Sequence, residues 1–280
     1  PTPGDIATIR VLPAEVRMSP GETKRFQVHA FDSLGLSVGK KTANWTLKGL
    51  TGSVNWKGEM NAEKTFDRQV GVIRAQVGAL TAKARVRVFS GPQLEEDFQS
   101  TPVGHRPDYF LGGLVHFSVE SNGKGNHFLV KKPASRGIHR HRTFIGPSDW
   151  NSYTIEADMR ATRTSRKVPD MGLINSGYTM DLMGVHQQIQ IRSWTAERRM
   201  SKSVPFHWVA NRWYRVKLSV EASEKLAIVR GKVWLREKPE PNGWTIIVED
   251  PHPISSGSPA LFGNSPTPVH YDNVRINKNR

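Results

Sequence analysis

At 280 residues the chain is long enough to enclose two hydrophobic cores, and 37% hydrophobic with 23% charged residues is the make-up of a folded globular protein, which argues against disorder. Forty Lys and Arg against 25 Asp and Glu leave a formal +15, a surplus that favours polyanionic partners such as acidic polysaccharide, lipopolysaccharide or nucleic acid. The absence of cysteine excludes disulfides, thiolate metal sites and cysteine nucleophiles together.

No apolar run approaches the roughly 20 residues that span a bilayer. The start at Pro1, without a charged-then-apolar leader, reads as a processed product. Residues 1–8 form a Pro/Gly-containing leader, and short β segments separated by turns follow. Lys24–Phe31 lies between Pro20-Gly21 and Asp32-Ser33. NWTLKG, GSVNWKG, VGVIRAQVG and LTAKARVRVF come next, and in the last Ala84, Val86 and Val88 alternate with Lys83, Arg85 and Arg87. Trp45 and Trp56 read as core or strand-edge residues. This spacing over residues 1–90 suits a small β-sandwich of immunoglobulin type. Val11-Leu12-Pro13, Pro20-Gly21, Phe26, Val28, Ala30, Asp32 and Gly35 resemble the opening of bacterial Ig-like domains. Ser-Gly-Pro and an acidic cluster then break the alternation, which predicts a short linker over 91–97.

Residues 98–280 carry longer strands that are richer in aromatics: VHFSVES, HFLVKK, RTFIG, WYRVKLSVEA, KLAIVRGKVWL, WTIIVED and HYDNVRINK. WYRVKLSV and AIVRGKVW bracket Glu224-Lys225 and read as an antiparallel hairpin. The densest β signal is 144–194. In its first run Tyr153, Ile155, Ala157 and Met159 share one face, with Thr154, Glu156, Asp158 and Arg160 on the other. In its last run Ile189 and Ile191 oppose Gln188, Gln190, Arg192 and Trp194. About a dozen strands without a convincing helix predict a two-sheet jelly roll, so the whole chain is expected to be all-β.

DFQSTPVG, RTFIGPSDWNSYTIEADMR, DMGLI, HQQIQIRSW, VPFHW, WYRVKLSV, RGKVW, EPNGWTIIVEDPHP and GSPALFGNSPTPVHYDNVRI together resemble the C-terminal region of bacterial secreted PQQ-binding-like β-propeller repeat proteins, of the kind found in planctomycete-like bacteria. The resemblance spans roughly residues 95–276. It implies a concanavalin-like, LamG-like jelly roll after an Ig-like domain, and export to the periplasm or the extracellular space. The propeller itself has no counterpart here, so no propeller cofactor is carried over, and the resemblance brings no catalytic residues.

Several chemistries are then open to test. Glu156 and Asp158 share a strand face as glycosidase carboxylates do, which keeps a glycan hydrolase or lyase as one alternative. The third carboxylate of a Glu-x-Asp-x-x-Glu pattern is missing, and Arg160 beside the pair opposes the raised pKa of a general acid, so a charge ladder is expected and no catalytic residue is assigned. His139-Arg140-His141 lacks a nearby acid, and its positive surroundings oppose zinc; Lys131 to Arg142 reads as an anion-attracting surface. Asp97 and Asp272, near the two ends of the second domain, are candidates for a structural calcium. Planar polar groups beside an aromatic suit a sugar, so Gln188, Gln190, Arg192 and Trp194, with Arg160, are the candidate ligand-binding residues. The leading expectation is a non-catalytic, extracytoplasmic module that binds an acidic polysaccharide or another envelope component. The other alternative is an accessory subunit of an envelope assembly; no nucleic-acid motif is present.

Overall fold

The computed structural model describes residues 1–64, 68–133, 139–163, 168–193 and 199–279, and among these the chain is all-β with no helix. It divides into two compact units, Pro1–Gly91 and Pro92–Arg280. No helix among the described residues is long and apolar enough to cross a membrane.

The first unit contains β1 (Thr8–Leu12), β2 (Glu15–Met18), β3 (Thr23–Arg25), β4 (Gln27–Phe31), β5 (Ser37–Lys41), β6 (Asn44–Lys48), β7 (Gly52–Val54), β8 (Glu59–Ala62), β9 (Gln69–Val77) and β10 (Leu80–Val88). They form three sheets, ordered β1-β4-β5, β2-β10-β9-β6 and β3-β8-β7. β2 runs parallel to β10. The period-2 pattern places Ala84, Val86 and Val88 in a core shared with Phe26, Val28, Met60 and Ile73. Arg87 departs from the pattern, being buried and ion-paired with Glu15 on the parallel neighbour.

GSVNWKG is not one strand. β7 stops at Val54, because the Asn55 side-chain oxygen accepts the backbone N–H of Lys57 and of Glu59, each at 3.0 Å, and folds the chain into a turn. Trp56 at that turn is 71% exposed, which corrects its expected place in the core or at a strand edge. Trp45 is half-buried and packs on the core. The expected linker also needs correction: residues Leu94–Glu96 form β11, paired with a strand near the C-terminus, and so belong to the second unit.

The second unit continues with β12 (Phe117–Ser121), β13 (His127–Lys131), β14 (Arg140–Phe144), β15 (Tyr153–Ala161), β16 (Asp170–Asn175), β17 (Tyr178–Met183), β18 (Gln188–Ser193), β19 (Ser201–Pro205), β20 (Tyr214–Ala222), β21 (Ala227–Leu235), β22 (Ile246–Asp250), β23 (Ala260–Asn264) and β24 (Val269–Lys278). An eight-stranded sheet runs β12-β13-β24-β15-β20-β21-β22, with β11 also on β24; a six-stranded sheet runs β14-β23-β16-β17-β18-β19.

The sheets pack face to face. Tyr153, Ile155, Ala157 and Met159 of β15 are fully buried, as are Met180, Leu182, Ile189 and Ile191 of β17 and β18. A Cβ on Gly231 of β21 would lie 2.7 Å from the Met180 sulfur, so that glycine lets the two layers close. Tyr271 reaches from β24 to the Phe262 carbonyl at 2.6 Å, and Asn175 donates to the Tyr153 and Leu218 carbonyls. The run PDMGLINSGYTMDLMG is a hairpin: Asn175 pairs with Tyr178 around Ser176 and Gly177, both at positive φ (47° and 77°), as a tight two-residue turn requires.

Candidate functional site

The expected ligand face of β18 lies on the outer side of the six-stranded sheet, and Gln188, Gln190 and Arg192 do share it at partial exposure. Their polar groups are engaged. The Gln190 amide donates to Ser203 Oγ at 3.0 Å, the Gln188 amide to the Met183 sulfur at 3.3 Å, and Arg192 Nε to Asp181 Oδ2 at 2.8 Å. Asp181 is 3% exposed, and burial raises its pKa against the pull of Arg192 and Arg140. Across the same face, the register sets Ile174, Ala260 and Phe262 in a small buried cluster joined by Phe144. The centre of this face thus carries a small apolar cluster beside the Arg192–Asp181 ion pair. Trp194 lies outside the described residues.

Arg160 is not part of that face, because β15 belongs to the other sheet. The outer side of the eight-stranded sheet carries a ladder of alternating charges on adjacent strands. Arg215 of β20 bridges Glu156 at 2.9 Å and Asp158 at 3.2 Å of β15. Lys217 reaches Glu156 at 3.3 Å and Glu240 at 2.7 Å, and Lys232 of β21 meets Glu240 at 2.9 Å. Asp158 also accepts from Asn273 at 2.8 Å, at the point where β24 loses register with β15. The expected ladder is present, but its cations are Arg215 and Lys217, not Arg160, since cross-strand neighbours lie closer than positions two apart on one strand.

The ladder ends at a different arrangement. The Arg160 guanidinium carbon lies 5.0 Å from the centroid of the Trp213 ring and 5.9 Å from that of Phe128; that of Arg236 lies 4.8 Å from the Trp213 ring. Trp213 sits just before β20 and Arg236 just after β21, tied by the Arg236 N–H donating to the Trp213 carbonyl at 3.0 Å. Phe128 and His270 set their edges against the same indole. Arg236 makes a long ion pair with Asp158, at 3.8 Å. Among the described residues the Arg160 guanidinium has neither an ion pair nor a hydrogen bond, and its Nε is buried without an acceptor. Desolvation, and then the nearby charge of Arg236, lower its pKa. Burial brings His270 down to about 4, so this imidazole is neutral at neutral pH and the positive charge here is that of the two arginines.

Sequence reasoning found Arg160 but missed Trp213, Arg236, Phe128 and His270. The available signal was the outward alternation Trp213-Arg215-Lys217 and Lys232-Trp234-Arg236, opposite the buried face of the same hairpin.

The calcium candidates are joined by amides. Asp97 accepts the Gln99 N–H at 3.0 Å, Gln99 Nε2 approaches Asn126 Oδ1 at 3.3 Å, and Asn126 Nδ2 donates to Asp272 Oδ2 at 3.2 Å. Among the described residues no group of three or more His, Cys, Asp or Glu could hold a metal ion. His141 stacks on His116 at 3.4 Å. Lys131, expected on an anion-attracting surface, is fully buried, with its ammonium donating to the Ser265 carbonyl; 134–138 of that surface lie outside the described residues.

No protein-family model matches the chain, and no curated protein matches it in sequence. Among solved structures the chain is similar to lectin II from Ulex europaeus, at 12% identity over 67% of this chain and 99% of that one, with a TM-score of 0.43. It is similar to a glycosyl hydrolase family protein from Mycobacterium fortuitum, at 13% identity over 65% and 98%, with a TM-score of 0.42. Winged bean acidic lectin complexed with methyl-α-D-galactose is similar at 9% identity over 66% and 97%, with a TM-score of 0.43.

Proposed function

We propose that the chain is a non-catalytic module that binds an acidic polysaccharide, with the Arg160–Trp213–Arg236 end of the eight-stranded sheet as its contact for the anionic groups. The observation that carries this reading is the unneutralised guanidinium of Arg160, which has a buried donor without an acceptor and a second arginine against the same indole. Burial of Nε holds this guanidinium in place without an anion of its own, and a carboxylate or sulfate oxygen at its outer end would supply the missing countercharge and relieve the repulsion between the two arginines. Trp213 holds the guanidinium planes in place, and the rest of the ladder is already neutralised by Glu156, Asp158 and Glu240, so the unbalanced charge is confined to this end. The same ladder argues against hydrolysis through Glu156 and Asp158, whose oxygens are taken by Arg215, Lys217 and Asn273.

The test is titration of the full chain with hexagalacturonate and with neutral cellohexaose. Arg160→Gln with Arg236→Gln should weaken hexagalacturonate binding about tenfold or more at low salt, the worth of charged hydrogen bonds. Cellohexaose should bind weakly to both proteins. Equal affinity of parent and double variant for hexagalacturonate, with unchanged circular dichroism, overturns the assignment.

A further inference from the structure

Among the described residues, the first unit has a cleft of about 390 Å³ lined by Arg25, Lys40, Lys41 and Lys57, with Trp45 and Trp56 and one carboxylate, Glu59. We propose that this cleft is a second, separate binding site for an anionic oligosaccharide, a pyranose chain bearing carboxylate or sulfate groups. The inference uses residues of the first unit alone and does not depend on the site assigned to the second.

Two independent features point to a ligand. The first is charge. None of Arg25, Lys40, Lys41 and Lys57 has an ion pair or a hydrogen bond from its side chain among the described residues; Lys57 only lies over the Trp56 ring, 5.2 Å from its centroid. Glu59 accepts from the Asn55 amide at 2.8 Å and, although opposite Arg25 in the β3–β8 register, makes no ion pair with it. Lys40 and Lys41 are consecutive on β5 and leave its two faces, so the cleft is edged by cations on more than one side, which raises the local concentration of anions.

The second feature is the presentation of Trp56. An indole 71% exposed gains little from burial, yet its turn is tightly made. Asn55 caps the N–H groups of Lys57 and Glu59, the Gly58 N–H closes on the Asn55 carbonyl at 3.0 Å, and the Gly58 carbonyl accepts the Phe26 N–H at 2.8 Å. Gly58 has φ +75°, and a Cβ there would lie 2.8 Å from the ring of Trp45, so this turn packs against an indole that lines the cleft. An exposed aromatic on a rigid support next to free cations suits an acidic sugar, whose C–H face stacks while its charged substituent reaches a lysine. Single-stranded nucleic acid is the less fitting occupant, because such grooves stack successive bases on several aromatics, and here one indole is exposed beside a short cleft.

The experiment uses the full chain carrying Arg160→Gln and Arg236→Gln, so that failure of the second-unit site and failure of this one are read separately. Hexagalacturonate, sulfated cellohexaose, cellohexaose and oligo-dT are titrated at about 50 and 300 mM salt. Both anionic hexasaccharides should bind and cellohexaose should not. Trp56→Ala should weaken binding about tenfold at both salts, as loss of a stacking platform does, and Trp56→Tyr should restore most of it. Lys40→Gln with Lys41→Gln should weaken it about tenfold at the lower salt and much less at the higher. The inference is overturned if neither anionic hexasaccharide binds this background, if binding is indifferent to both sets of substitutions, or if oligo-dT binds more tightly through the same residues.

Discussion

Lys131 lies on β13 with no exposed surface, and its ammonium donates to the Ser265 carbonyl. Burial pulls its pKa from 10.5 to about 8. The folded value is below the unfolded one, so between about pH 8 and 10.5 the unfolded chain holds the proton more tightly. The full cost of the buried charge applies below about pH 8 and fades as pH rises toward 10.5. Lys131→Met keeps the length and removes the charge at the loss of one hydrogen bond. It should stabilise the protein at pH 7 by roughly 1–3 kcal/mol, and the advantage should shrink by pH 10.5. Urea unfolding of parent and variant at both pH values checks this; a variant less stable at pH 7 would show that the ammonium is a net stabiliser. The burial of Lys131 was hidden in the sequence, where it adjoins Lys132 and reads as half of a basic pair. Lys131 stands in register between Phe117 of β12 and Val269 of β24, and its place in that sheet turns the stem inward. Trp56 erred the other way. GSVNWKG alternates well enough to pass for a strand, and what ends it is one side-chain oxygen, that of Asn55.

On the outer face of the eight-stranded sheet, β15 and β20 are joined by more than their backbone. Arg215 is 12% exposed between Glu156, at 13%, and Asp158, at 4%. Removing the shared cation leaves two poorly hydrated carboxylates facing each other across it. Arg215→Met should therefore destabilise the protein by about 3–5 kcal/mol, whereas Lys217→Met should cost much less, since Glu156 keeps Arg215. Thermal unfolding of the two variants decides between a shared and an incidental bridge: equal effects would mean that the ladder is not organised around Arg215. The face of β15 was legible because strict period-2 alternation puts Glu156, Asp158 and Arg160 together without help from other strands. Their partners were not, since Arg215, Trp213, Arg236 and His270 arrive from other elements, and pairing order is a property of the sheet. The same holds for β11, whose three residues show no periodicity and become a strand only against β24.

Over the whole chain, 40 basic residues against 25 acidic ones set a field that draws in any polyanion, and such attraction alone is general and salt-sensitive. What distinguishes a site from this background is charge that the fold holds in place and leaves uncompensated, and in the second unit that condition is met at Arg160, unpaired among the described residues, with Arg236, whose contact to Asp158 is 3.8 Å, beside the same Trp213. The all-β architecture was readable from turn spacing and alternation throughout, whereas the location of the unpaired charge was not. The most direct measurement is the indole 15N–1H spectrum of the full chain titrated with hexagalacturonate, with the Trp213 resonance assigned by Trp213→Phe. The account predicts that the Trp213 indole shifts with saturation at a salt concentration that screens general attraction, and that Arg160→Gln with Arg236→Gln abolishes the shift. A Trp213 resonance that stays in place while hexagalacturonate saturates the protein would contradict it.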